Sequence, residues 1–138
     1  MVGGLMFLVD TNVWLEVLLE QERAAEAREF IEKTDSKSLA ITDFSLYSIG
    51  IILTRLNKDT AFEDFLSDTI EDSSVTRIRL EVRDLKQIPD YRKRFQLDFD
   101  DAYQSVAALK HGCTLVSFDS DFDRTPTGRE TPSQVISR

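Results

Sequence analysis

The chain has one cysteine, one histidine and five glycines in 138 residues, and each scarcity removes a class of chemistry. A lone cysteine, Cys113, excludes an internal disulfide and any multi-cysteine zinc site. It opens an apolar stretch and reads as packing rather than as a nucleophile. A lone histidine, His111, argues against hydrolysis through a serine or cysteine triad. Its position just before Gly112 suits a cap on the last carbonyls of a helix. So few glycines build no phosphate-cradling loop. No apolar run approaches the roughly 20 residues that a membrane span needs. The opening MVGGLMFLVD has no basic region ahead of its apolar stretch, so a signal peptide is not expected. The expectation is a cytoplasmic protein with a single domain over residues 1–138, a length that permits a real core.

Positive charge is also short: 17 Lys and Arg stand against 25 Asp and Glu, for a formal net charge of -8. That balance disfavours binding nucleic acid through a broad basic surface. The acid is unevenly placed. Between Asp98 and Asp123 there are six aspartates, no glutamate and one lysine, Lys110. Three of those aspartates follow an apolar stretch directly in LVSFDSDFDR (115–124). Short carboxylates segregated in this way point to a site.

Strands and helices alternate. LMFLV (5–9) is a continuous apolar run, as expected of a strand covered on both faces. Helix follows from about Val13, and again in AAEAREFIEK (24–33). SLAI (38–41) reads as a short strand, and Thr42 or Asp43 can cap the helix after it. That helix, Phe44 to Leu56, is apolar on two sides: Phe44, Tyr47 and Ile51 on one, Leu46, Ile49 and Leu53 on the other. A homodimer using this helix or the next is therefore expected. Gly50 inside it implies close packing against a neighbour. Residues 60–70 form an amphipathic helix and VTRIRL (75–80) a strand. EVRDLKQI reads as a helix stopped by Pro89, and YRKRF as a short helix or turn. The stretch from Asp98 to His111 starts with a capping arrangement, Asp98 to Asp101, and CTLVS (113–117) is another buried strand. Thr131-Pro132 can open a last short helix. The order implies an α/β fold: a parallel sheet of about four or five strands with helices on both faces.

Two buried strands run into aspartate, Val9 into Asp10 and Ser117 towards Asp119. Ligands of open parallel sheets bind at the carboxyl ends of strands. Asp101 lies in the first turn of the helix preceding the second of these strands, which brings it to the same edge. Carboxylates crowded together repel unless they share protons or hold a cation. An all-oxygen set suits Mg²⁺ or Mn²⁺. Taken singly, Asp119 reads as a turn residue and Asp101 as a helix cap; the three together, at strand and helix ends, favour a site.

At these residues the sequence resembles the PIN-domain family. FLVDTNVWLE resembles that family's opening strand and first acidic motif, and LDFDDAYQSVAALKHGCTLVSFDSDFDR its later acidic helix and following strand. The size and the DTN start are similar to VapC-type toxins, which pair with antitoxins. The resemblance implies a PIN-like fold and a Mg²⁺- or Mn²⁺-dependent ribonuclease, with metal-ligand roles on Asp10, Asp101 and Asp119. It places Thr11 or Asn12, and Ser117, as hydrogen-bonding neighbours. One position departs: Ser48 stands where the family pattern has a glutamate, with Asp43, Asp121 or Asp123 as substitutes nearby. That departure supports an alternative, a degenerate PIN domain that binds RNA or a partner without cutting.

Other patterns carry less. Asp119 to Glu130 has the length of an EF-hand loop, but Arg124 and Pro126 sit where such a loop needs glycine and free backbone. An aspartyl phosphatase with Asp10 as nucleophile would want an acid at Asn12. Trp14 is open to two readings, core packing or stacking on a base. So are Arg92, Lys93 and Arg94 with Arg124 and Arg129: a grip on a phosphate backbone, or solvated charge.

Overall fold

The computed structural model describes residues 6–138; Leu5, placed at the start of the first strand by sequence, lies outside them. The elements run β1 (Phe7–Val9), α1 (Thr11–Leu18), α2 (Ala24–Lys33), β2 (Leu39–Thr42), α3 (Asp43–Arg55), α4 (Asp59–Phe65), β3 (Thr76–Ile78), α5 (Val82–Leu85), α6 (Ile88–Phe95), α7 (Phe99–His111), β4 (Thr114–Val116) and α8 (Pro132–Ile136). The strands form one parallel sheet in the order β3-β2-β1-β4. The chain steps outward from β1 to β2 to β3, then returns through α5, α6 and α7 to lay β4 on the other side of β1. The direction of winding therefore reverses between β1 and β4.

Each strand has only three or four residues, so packing rather than ladder length holds the sheet. Alternation sends Phe7, Val9, Leu39, Ile41 and Val116 into one apolar cluster with α1, α2, α3 and α4. Leu8, Ala40, Ile78 and Leu115 enter a second cluster with α6 and α7. Leu8, Val9, Ile41 and Val116 are all fully buried. Each such side chain contributes about 1.5–3 kcal/mol. The continuous apolar runs in the sequence thus report a sheet covered on both faces.

Gly50 meets the expectation of close packing: a Cβ there would lie 2.8 Å from Phe62 Cζ on α4. Trp14 is core, 3 % exposed and edge-on to Phe65 at 5.5 Å, so it does not present a surface for stacking a base. Helix α3 buries Leu46, Ile49 and Leu53 and leaves Tyr47 and Ile51 exposed; it is not sandwiched on both sides within the chain.

Three sequence readings are corrected. Pro89 does not stop a helix; it stands in the first turn of α6, where a missing N–H costs nothing. The segment before it is only the single turn α5. Asp98 is the N-cap residue of α7, but its side chain makes no capping hydrogen bond. Among the described residues no helix is long and apolar enough to cross a membrane.

Candidate metal centre

The reversal between β1 and β4 opens a crevice at the carboxyl edge of the sheet, where ligands of such folds bind. A cavity of about 290 Å³ lies there. Asp10, Asp100, Asp101 and Asp119 line it together with Thr11, Asn12, Ser48 and Gln104, while Leu15, Phe44 and Ile52 form its apolar wall. Neither lysine nor arginine stands among these lining residues.

Asp10 follows β1 and caps α1, its Oδ1 accepting the Thr11 N–H at 2.8 Å. Gln104 Nε2 donates to the same oxygen at 2.9 Å, and Ser117 Oγ donates to Oδ2 at 2.7 Å. Burial raises the Asp10 pKa, with a small push from the charge of Asp119, while these hydrogen bonds pull it down. Ser117, fully buried just past β4, accepts from Asn12 Nδ2 at 3.1 Å and from the Asp119 N–H at 2.9 Å. One hydroxyl thus ties the ends of β1 and β4 together. Asn12 secures the same junction, its Oδ1 accepting the Phe118 N–H at 3.3 Å.

Asp101, half-buried in the first turn of α7, has its pKa raised as well. Burial, then the charges of Asp119, Asp100 and Asp10, raise its pKa from 3.8 to about 8. Carboxylate oxygens of Asp101, Asp119 and Asp121 lie within 4.8 Å of one another, as do those of Asp98, Asp100 and Asp101. The structure therefore brings Asp10, Asp101 and Asp119 to one cavity, with Asp121, one of the substitutes named from sequence, beside the last two. Asp121 is positioned by its own N–H bonding to Asp119 (2.9 Å) and by Arg124 (2.6 Å). Asp43 and Asp123 are engaged elsewhere, in ion pairs with Arg77 and Arg129. Asp121 is thus the one of the three possible substitutes that joins the cluster.

The basic residues do not line this cavity. Arg124 binds Asp121 and the Gln96 carbonyl, Arg129 binds Asp123 and the Ser117 carbonyl, and Arg94 pairs with Asp90. Burial raises the pKa of Cys113, which keeps it a thiol and a poor nucleophile.

Sequence reasoning missed a buried polar network behind Asp10. Gln104 Oε1 accepts from Thr42 Oγ1 at 2.9 Å, and Gln104 Nε2 also donates to Ser45 Oγ at 2.8 Å. Ser45 Oγ is in turn 2.8 Å from Thr11 Oγ1. Ser48, one turn further along α3, lines the cavity outside this network. A signal for Gln104 was present: it lies three residues after Asp101, on the same face of α7, within a run of small and apolar residues.

Charge and donor set together fit a hard divalent cation. Oxygens alone converge, burial and the acidic neighbours raise the pKa of Asp101, and no lysine or arginine lines the cavity, Arg124 meeting the cluster only at Asp121. A parallel α/β sheet with an acidic cluster at its switch point defines the class of protein. Residues 7–128 match the PIN domain family model, and the chain belongs to that family. Solved structures of similar fold include a toxin–antitoxin complex from Klebsiella pneumoniae, at 21% identity and TM-score 0.71 over 91% of this chain and 96% of that one. FitAcB from Neisseria gonorrhoeae is 19% identical with TM-score 0.73, covering 93% and 99% of the two chains. VapC20 from Mycobacterium tuberculosis, described as a toxin that cleaves the sarcin-ricin loop, is 18% identical with TM-score 0.73, covering 85% and 92%. No curated protein matches the chain.

Proposed function

We propose that this chain is a single-domain, cytoplasmic, Mg²⁺- or Mn²⁺-dependent endoribonuclease, the toxin of a toxin–antitoxin pair. The observation that carries the reading is the convergence of Asp101, Asp119 and Asp121 within 4.8 Å beside Asp10, at the edge where the winding reverses. Membership of the PIN family supports nuclease chemistry. The toxin–antitoxin neighbours support an antitoxin partner, and the exposed Tyr47 and Ile51 on α3 support a homodimer.

Asp10, Asp101 and Asp119 would hold the ion, with Asp121 completing the acidic side. A divalent cation there supplies concentrated positive charge, which offsets that of the phosphodiester and eases ionisation of an attacking water. The protein's own part is positional. Ser117 and Asn12 fix the strand ends that carry Asp10 and Asp119, and Asp101 must give up its proton to bind. Thr11 lines the cavity beside Asp10, its hydroxyl paired with Ser45 Oγ at 2.8 Å. Leu15, Phe44 and Ile52 limit water on one side of the site.

The second reading, a PIN domain that binds RNA or a partner without cutting, draws on a specific observation. Ser48 presents a neutral hydroxyl on the α3 side of the cavity, where the family pattern has a carboxylate. Incubating the protein with a mixed RNA pool and single-stranded DNA separates the readings, with Mn²⁺, with EDTA and with Asp10→Asn. Cleavage of RNA that needs Mn²⁺ and Asp10 is expected. RNA retained on a filter but left intact would favour the second reading, and preferential cutting of DNA would reject the substrate.

A further inference from the structure

Gln104 is 2 % exposed, and a buried amide persists where its polar atoms find partners. All of them do here. Oε1 accepts from Thr42 Oγ1, and the two hydrogens of Nε2 go to Asp10 Oδ1 and Ser45 Oγ. Turning the amide over would set its carbonyl oxygen against the Asp10 carboxylate and leave the Thr42 hydroxyl facing an N–H group. The network therefore fixes the orientation. Thr42 is itself held, because its Oγ1 accepts the Ser45 N–H at 3.0 Å as the cap of α3.

The consequence falls on Asp10. An ionised carboxylate offers about four acceptor positions. Thr11 and Gln104 occupy both on Oδ1, and Ser117 occupies one on Oδ2. One position remains, and it belongs to Oδ2. We propose that Gln104 is a positioning residue of the metal centre: by holding Oδ1 from the protein side, it makes Asp10 a ligand through a single oxygen, Oδ2. Ser45 and Thr42 serve this role as the anchors of the amide. The inference rests on the reading of Asp10 as a metal ligand.

Calorimetric titration of Mn²⁺, without substrate, into wild type, Gln104→Met, Asp10→Asn and the double variant tests it. Gln104→Met keeps the side-chain length and removes the donors. It should weaken Mn²⁺ binding about 10- to 100-fold, the usual effect of losing a partner that orients a metal ligand, with circular dichroism unchanged. In the Asp10→Asn background the same substitution should cost nothing further. Wild-type affinity in Gln104→Met, with affinity lost in Asp10→Asn, overturns the positioning role and leaves the metal reading intact. Wild-type affinity in Asp10→Asn overturns both. An equal loss from Gln104→Met in either background makes its effect one of general packing and also overturns the role. If Gln104→Met does not fold, Thr42→Val decides. It frees Oε1 and should weaken Mn²⁺ several-fold, and unchanged affinity rejects the proposal.

Discussion

Replacing Asp101 with asparagine removes a carboxyl whose pKa stands at about 8 instead of 3.8. A carboxyl with a raised native pKa binds its proton more tightly folded than unfolded. Its favourable contribution is complete below about pH 4 and is lost as pH rises towards about 8. At about 1.4 kcal/mol per pH unit, the full rise would cost the ionised native state about 5 to 6 kcal/mol. The side chain is only half-buried, and solvent screening reduces this to about 2 kcal/mol. Asp101→Asn should therefore stabilise the metal-free protein near pH 8 by about 2 kcal/mol, or about 5–10 °C in Tm for a chain of this size. Near pH 4 the two proteins should melt together. Melting curves in EDTA, followed by circular dichroism across that range, make the measurement. A Tm difference that is absent near pH 8, or that persists unchanged near pH 4, would refute the argument that burial and neighbouring acids load this carboxyl.

Four further expectations follow from the same geometry. Millimolar Mg²⁺ or Mn²⁺ should raise the Tm of the wild type near neutral pH by mass action and raise that of Asp101→Asn less; equal shifts would disconnect the ion from the cluster. Asp10→Asn should abolish RNA cleavage while leaving the fold intact, and retained turnover would remove Asp10 from the centre. Ser48→Glu, adding a carboxylate to the cavity wall, should tighten Mn²⁺ about tenfold, worth about 1.4 kcal/mol, and calorimetry showing equal or weaker affinity would mean that Asp121 already fills the gap. Gly50→Ala should destabilise by about 1 kcal/mol, because overpacking against Phe62 exceeds the gain in helix propensity; the sign should reverse in a Phe62→Ala background, and a stabilised single variant would refute the clash.

The sheet and the acidic edge were legible because both rest on simple local rules. A strand buried on two faces must be apolar throughout, so Asp10 at the end of FLV and Asp119 after LVSF stood out as interruptions. Asp101 was legible from its place at a helix start. What escaped depended on long-range placement. Gln104 is distinguished only by what surrounds it: Thr42, Ser45 and Asp10 arrive from 59 to 94 residues away. Asp121 was legible only as one of three possible substitutes, because the turn that brings it to the cluster is not given by sequence alone. Residues 45 and 48 share one face of α3 a turn apart, so apolar spacing could not tell the serine behind Asp10 from the serine on the cavity wall. Pro89 was misread because proline favours the first turn of a helix as readily as it ends one, and only the tertiary path decides.

The central position of β1 also has a consequence in time. Its last-made neighbour is β4, and the Ser117–Asp10 hydrogen bond spans 107 residues. At roughly 5–20 residues per second, synthesis needs about 5–20 s to cover that interval. Throughout it the growing polypeptide carries Asp10 but neither Asp119 nor the strand that supports it. Any activity seated at this edge is therefore withheld from the nascent chain, and a product of interrupted translation lacks it as well. Winding the two halves of the centre to opposite ends of the sequence lets the translating ribosome finish its work before the folded protein can act.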